Sequence, residues 1–197
     1  SEMCIRDRSD LAYGALGYQG YENPSFLSTP GAKDVGIEFY TFSKTFNMAG
    51  WRLAFAAGND QMIEALNLIQ DHLFVGIFPA LQEAGIAALL DPKSEEAVAQ
   101  LNATYDSRRD AFVQAAAKIG WQAFPSRGSF YAWMPVPEGY TSESFADLLL
   151  EKVHVAVAPG KGFGPAGDAY VRIGLLVEPE RLVEAVDRIA NLHLFNN

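Results

Sequence analysis

Lys44 stands just past an apolar, β-branched and aromatic run, Ile37 to Phe42, directly after the hydroxyl of Ser43. A lysine at the end of such a strand sits where open α/β sheets place functional groups, at the carboxyl edge. A half-buried ammonium is disfavoured unless it is paired or its pKa is lowered, and a lowered pKa is what equips a lysine to form a Schiff base. Arg52 follows eight residues later, behind Gly50-Trp51, and can bring a fixed cation back to the same spot. Amine, hydroxyl and guanidinium together suit a phosphorylated aldehyde. By spacing alone, a surface lysine and a surface arginine account for the same residues.

Other chemistries find less support. His72, His154 and His193 have no His or Cys nearby at metal-ligand spacing, and the chain has a single cysteine, Cys4. Gly160-Lys161 is followed by Gly162 where a phosphate loop needs a hydroxyl residue. The run Gly160 to Gly164, bracketed by Pro159 and Pro165, reads as a turn or lid. With 15 Lys+Arg against 24 Asp+Glu the formal net charge is −9, the reverse of a nucleic-acid binder. The longest apolar stretches, such as Leu73 to Leu81, are about half the roughly 20 residues of a membrane span. One cysteine and no apolar leader fit a reducing, cytoplasmic compartment.

The elements that must carry these residues follow from pattern. Ile37 to Phe42 and Trp51 to Ala57 read as strands, and Asn59 or Asp60 is an N-cap for a helix through Met62, Ile63, Leu66 and Ile69. Pro79 opens a helix ending near Asp91-Pro92, and Ser94 starts a long one reaching Lys118, with Gly120 as its stop. Ser129 to Met134, Val153 to Val157 and Tyr170 to Ile173 read as strands; Ser142 to Lys152 and Glu180 to Leu194 read as helices. Alternation of the two types means α/β, with the long helix as the junction of two lobes. Ser1 to Ser9 match no pattern and read as an unrelated tail or artefact.

Four motifs in order add a resemblance. Ser43-Lys44-Thr45-Phe46-Asn47-Met48-Ala49-Gly50-Trp51-Arg52 resembles the cofactor-lysine motif of class I and II aminotransferases, the fold-type I enzymes that use pyridoxal 5′-phosphate. Asp10-Leu11-Ala12-Tyr13 is similar to their D-x-x-Y motif, Pro159-Gly160-x-x-Phe163-Gly164 to their P-G-x-x-F-G, and Tyr170-Val171-Arg172-Ile173 to their carboxylate-arginine motif. The resemblance implies the fold-type I architecture, with residues 10–105 as the C-terminal part of the large cofactor domain and 106–197 as the small domain. It implies that Lys44 forms the Schiff base and that Asp10 accepts a hydrogen bond from the cofactor's ring nitrogen. Tyr13 then bonds its phenolic oxygen, Arg52 with Ser43 and Thr41 binds its phosphate, and Arg172 binds the substrate α-carboxylate. Phe130, Tyr131 and Phe163 read as pocket lining or as ordinary core.

Within the family, AYGALGY, NLIQDHLFVGIF and YVRIGLL look most like the methionine-salvage transaminases, which aminate 4-methylthio-2-oxobutanoate. A C–S lyase of the same fold and a cofactor-sensing effector domain of a transcription regulator are the alternatives. The family's N-terminal half has no counterpart here, so the chain is expected to be a fragment, inactive alone, of an enzyme that forms a homodimer. The strands at 37–42 and 51–57 are then expected to leave an open edge and bare apolar faces, an aggregation liability.

Overall fold

A computed structural model describes residues 6–124 and 126–195. Two compact units divide within one long helix, residues up to Asn102 forming the first and Ala103 onward the second.

In the first unit a three-stranded sheet runs in the order β1 (Asp7–Asp10), β2 (Gly36–Thr41), β3 (Ala54–Gly58). β1 lies parallel to β2, pairing Asp10 with Phe39, and β3 lies antiparallel, pairing Tyr40 with Phe55. That last pair stacks at 5.3 Å between centroids, and Phe42 meets Phe55 edge-on at 6.0 Å. Such cross-strand aromatic pairs hold register where one face is only partly covered. Short helices α1 (Ala32–Val35) and α2 (Phe42–Thr45) bracket β2; α3 (Asp60–Ile69), α4 (Pro79–Leu90) and the start of α5 (Ser94–Lys118) follow β3. Of the two caps expected for α3, Asn59 is the one used, its Oδ1 accepting from Met62 N at 3.1 Å.

The expected tail is corrected in part. Residues 1–5, Cys4 among them, lie outside the described residues, but Asp7–Asp10 form β1 although the sequence DRSD carries no apolar pattern. Backbone pairing and one buried acid account for it. Glu38, 7% exposed in the middle of β2, accepts from Ser9 Oγ (3.0 Å), Ser25 Oγ (2.6 Å) and Phe26 N (2.7 Å), tying β1 and the following loop to the central strand. β2 is therefore covered on both sides, and among the described residues the outer edges belong to β1 and β3. Removing the acceptor strands three donors, so Glu38→Ala is expected to cost about 1–3 kcal/mol, read as a lower urea midpoint at unchanged slope.

The strand expected at Trp51 to Ala57 begins only at Ala54, because Ala49–Trp51 form a 3-10 turn closed by Arg52 in the left-handed region (φ 53°). Past α3 the chain tightens into a π-helical turn, Gln70–Phe74, which leaves Leu73, Phe74, Val75 and Phe78 exposed. With Leu68 and Leu90 also exposed, the bare apolar surface expected of this half is present.

The second unit holds an antiparallel sheet in the order β4 (Tyr131–Pro135), β6 (Tyr170–Gly174), β5 (Ala158–Pro159), with helices α6 (Ser142–Val153) and α7 (Pro179–Ala190). Its core gathers Phe112, Trp121, Met134, Phe145, Leu149, Val171 and Val186. Gly120, in the left-handed region at φ 83°, ends α5 as expected, and Trp121 N bonds back to Ala116 O. The strand expected at Val153 to Val157 is absent. α6 runs through Val153, His154 caps it in the left-handed region, and Val155 N bonds back to Leu149 O, so pairing with β6 starts only at Ala158. The last helix likewise stops at Ala190, where Leu192 N and His193 N bond back to Ile189 O and Ala190 O.

Candidate active site

The first unit brings six of the seven expected site residues to one edge of its sheet. β1 and β2 are parallel, so Asp10 and Thr41, their last residues, both lie at the carboxyl edge. Leu11 N bonds to Phe39 O at 2.9 Å, carrying the pairing one step past Asp10. Tyr13 follows in a turn whose carbonyls are tied down by Asn23, its Nδ2 donating to Tyr13 O (3.0 Å) and Leu16 O (3.1 Å). Asp10 is exposed and Tyr13 half-buried.

Lys44 sits on α2, a single helical turn. Thr41 is its N-cap: Oγ1 accepts from Ser43 N at 3.2 Å and lies 2.9 Å from Ser43 Oγ, while Tyr40 Oη and Thr45 Oγ1 bond at 2.8 Å across the turn. The half-buried Lys44 thus leaves a turn fixed at both ends. β3 is antiparallel to β2, so the segment entering it returns to the same edge: Phe42 N bonds to Leu53 O at 3.2 Å, and Arg52 is the residue before. The exposed Arg52 guanidinium donates through Nη1 to Ala49 O at 3.1 Å.

This donor set fits a phosphorylated aldehyde. A primary amine, two hydroxyls 2.9 Å apart at a helix start, and a guanidinium on the adjoining turn supply one nucleophile and several anion donors. Thr45 and Phe46 also wall an open cavity of about 400 Å³, with Ala15, Tyr40 and Ala99 among its other residues. No group of His, Cys, Asp or Glu among the described residues could hold a metal ion. No helix there is long and apolar enough to cross a membrane.

Arg172 belongs to the second unit. It lies on β6 opposite Trp133 of β4, on the sheet face away from Ala132, Met134, Val171 and Ile173, which are buried. The Gly160 run takes the form of two 3-10 turns, Gly160–Phe163 and Pro165–Ala169. They press together so closely that a Cβ on Gly160 would stand 2.2 Å from Gly167 O, and one on Gly167 would stand 2.1 Å from Gly160 O. Ser142, fully buried, donates to Asp168 Oδ1 (2.8 Å) and accepts from Lys161 N (3.2 Å), which pins the run to α6. The Lys161 ammonium pairs with Glu143 at 2.8 Å, and that hydrogen bond lifts its pKa above the usual lysine range.

Residues that pattern reading passed over do the positioning. Glu38 was detectable as a lone acid inside an apolar strand; the Tyr40–Thr45 bond and the Asn23 clamp on the Tyr13 turn had no signal in spacing, since both depend on the folded chain path.

Comparison with known proteins identifies the family. Residues 8–189 match the family model described as aminotransferase class I and II. The chain is 59% identical over 186 residues to an L-glutamine–4-(methylsulfanyl)-2-oxobutanoate aminotransferase of Bacillus subtilis, covering 94% of this chain and 46% of that protein. It is 47% identical to an LL-diaminopimelate aminotransferase of Moorella thermoacetica, covering 91% and 46%. The structure of apo BacF from Bacillus subtilis superposes with a TM-score of 0.91 at 44% identity, covering 98% of this chain and 49% of that one. The chain spans about half the length of the curated relatives it matches. With the motifs in order, the Lys44 turn at the carboxyl edge and a family match over most of its length, the chain belongs to the class I and II aminotransferases.

Proposed function

We propose that the protein to which this chain belongs moves an amino group between an amino acid and a 2-oxo acid, with pyridoxal 5′-phosphate held at Lys44 and 4-methylthio-2-oxobutanoate as an acceptor. The observation that carries this is the capped turn that sets Lys44 beside Thr41, Ser43 and the Arg52 segment at the carboxyl edge of β1 and β2. The acceptor rests on the likeness to the Bacillus subtilis protein.

When bound, the cofactor supplies an electron sink for negative charge at the substrate α-carbon. Everything else falls to the chain's own groups. Thr41 Oγ1, Ser43 Oγ and the Arg52 guanidinium bind the phosphate, Arg through its planar fork. The Asp10 carboxylate accepts from the protonated ring nitrogen, a charge-assisted bond that keeps that proton in place. Tyr13 donates its phenolic hydrogen to the ring oxygen. Lys44 Nζ would hold the cofactor through its aldehyde carbon and, as a free amine, would be the base that moves the proton at the substrate α-carbon. Arg172 holds the substrate α-carboxylate and so fixes the direction of that C–H bond.

We place the whole protein in the cytoplasm as a homodimer, a reading that rests on the family to which the chain belongs. The chain spanning half of its relatives is proposed to be inactive alone. The test is an acceptor panel on a version extended to its relatives' length. 4-Methylthio-2-oxobutanoate is expected to outpace pyruvate and 2-oxoglutarate by about tenfold or more in kcat/KM, the worth of a matched apolar side-chain pocket. Equal rates on all three would reject this acceptor, and ammonia release without any acceptor would replace transfer with elimination.

A further inference from the structure

The Arg172 guanidinium is enclosed on both faces. Its central carbon lies 4.1 Å from the centre of the Tyr131 ring and 4.2 Å from the centre of the Phe163 ring. Tyr131 and Arg172 share one face of the β4–β6 ladder, because Tyr131 pairs with Gly174 and Trp133 with Arg172. Phe163 arrives from the 3-10 turn over the sheet and is buttressed in turn: its ring meets Trp133 edge-on at 5.8 Å, and Trp133 stacks on Tyr170 at 5.5 Å. None of the ion pairs among the described residues includes Arg172.

Phe163 lies over a cation, where its ring face contributes a contact of its own beyond filling space. Every N–H of a guanidinium points outward in its own plane. With rings over both faces, an anion can approach only along the rim. A carboxylate is planar as well and presents two oxygens to a fork in that plane. A tetrahedral oxyanion can put two oxygens there only by sending another out of plane, towards a ring. We propose that Tyr131 and Phe163 are positioning residues that lock the plane of Arg172 and make it selective for planar carboxylates over tetrahedral oxyanions of equal charge. This rests on the reading of Arg172 as the carboxylate-binding residue.

Acetate and methanesulfonate, both monoanions, are the matched probes, observed on the Arg172 side-chain signals of the whole chain by NMR. Acetate is expected to shift the Arg172 Nε–H at about fivefold lower concentration than methanesulfonate, and Phe163→Leu is expected to erase that preference. The same variant should speed rotation about the Arg172 Nε–Cζ bond by about fivefold, the size of one lost cation–π contact, while Phe163→Trp restores slow rotation and the preference. Backbone signals of the second unit report that each variant is folded. If acetate shifts Arg172 but Phe163→Leu changes neither preference nor rotation, the clamp is rejected and the carboxylate reading stands. If neither anion reaches Arg172, the carboxylate reading fails and the selectivity built on it falls too.

Discussion

Borohydride reduction of the chain after incubation with pyridoxal phosphate is expected to leave a phosphopyridoxyl mass on the peptide that carries Lys44, and Lys44→Ala is expected to remove it. Two features favour this lysine over the other five. Its turn is fixed by the Thr41 cap and the Tyr40–Thr45 bond, so the side chain leaves an ordered turn that also carries the Ser43 hydroxyl and adjoins the Arg52 segment. Lys161, by contrast, is held as an ammonium by Glu143 and is a poorer nucleophile. Peptide mass mapping is expected to give Lys44 about tenfold or more label over any other lysine, the advantage of a positioned amine. Arg52→Ala should lower that label about tenfold by removing a charge-assisted phosphate contact, while leaving Lys44 reactive at high cofactor concentration. Label scattered evenly over all lysines would mean that the first unit does not form a cofactor site unaided.

Trp121→Ala should produce the largest loss of stability. Trp121 is 1% exposed, contacts Phe112 and Phe145 edge-on at 6.3 and 5.9 Å, stacks on Phe195 at 5.0 Å and donates from its indole nitrogen to Pro135 O at 2.7 Å. It therefore joins α5, α6, the C-terminal segment and the end of β4. Truncation opens a large cavity and strands the Pro135 carbonyl, together worth roughly 3–5 kcal/mol. Against a typical total of about 5–15 kcal/mol, that leaves the second unit marginal at room temperature. Urea unfolding followed through backbone signals of residues 103–195 would show it, and Trp121→Phe, which keeps most of the volume, should fall well short of that loss. A Trp121→Ala midpoint equal to the parent's would mean that this ring is not the keystone of the unit's core.

What could be read in advance divides along a physical line. Helix ends were legible because their signals are local: Asn59 bonds Met62 N, Pro79 opens α4, and Gly120 takes the left-handed turn that closes α5. The Lys44 segment was legible because motif order reflects chain connectivity, and the first unit brings Asp10, Tyr13, Thr41, Ser43, Lys44 and Arg52 to one sheet edge. The failures depend on partners distant in sequence. β1 has no apolar alternation and is held by backbone pairing and Glu38; Val153 to Val157 is rich in valine, but a helix end consumes its first residues. Tyr131 and Phe163 were singled out as pocket lining or core, but their place over Arg172 was not legible, because they come from a strand and a turn that no periodicity links.

Position 52 shows two demands in conflict. The backbone there is left-handed, which costs a side-chain-bearing residue on the order of 1 kcal/mol and costs glycine nothing. Conformation alone would favour glycine at the bend between α2 and β3, yet the residue is an arginine with its guanidinium exposed. An arginine here gives up part of the stability of the bend and places a charge at the sheet edge. Arg52→Gly is therefore expected to ease the bend while removing the guanidinium from the carboxyl edge, so stability and charge at this position move in opposite directions.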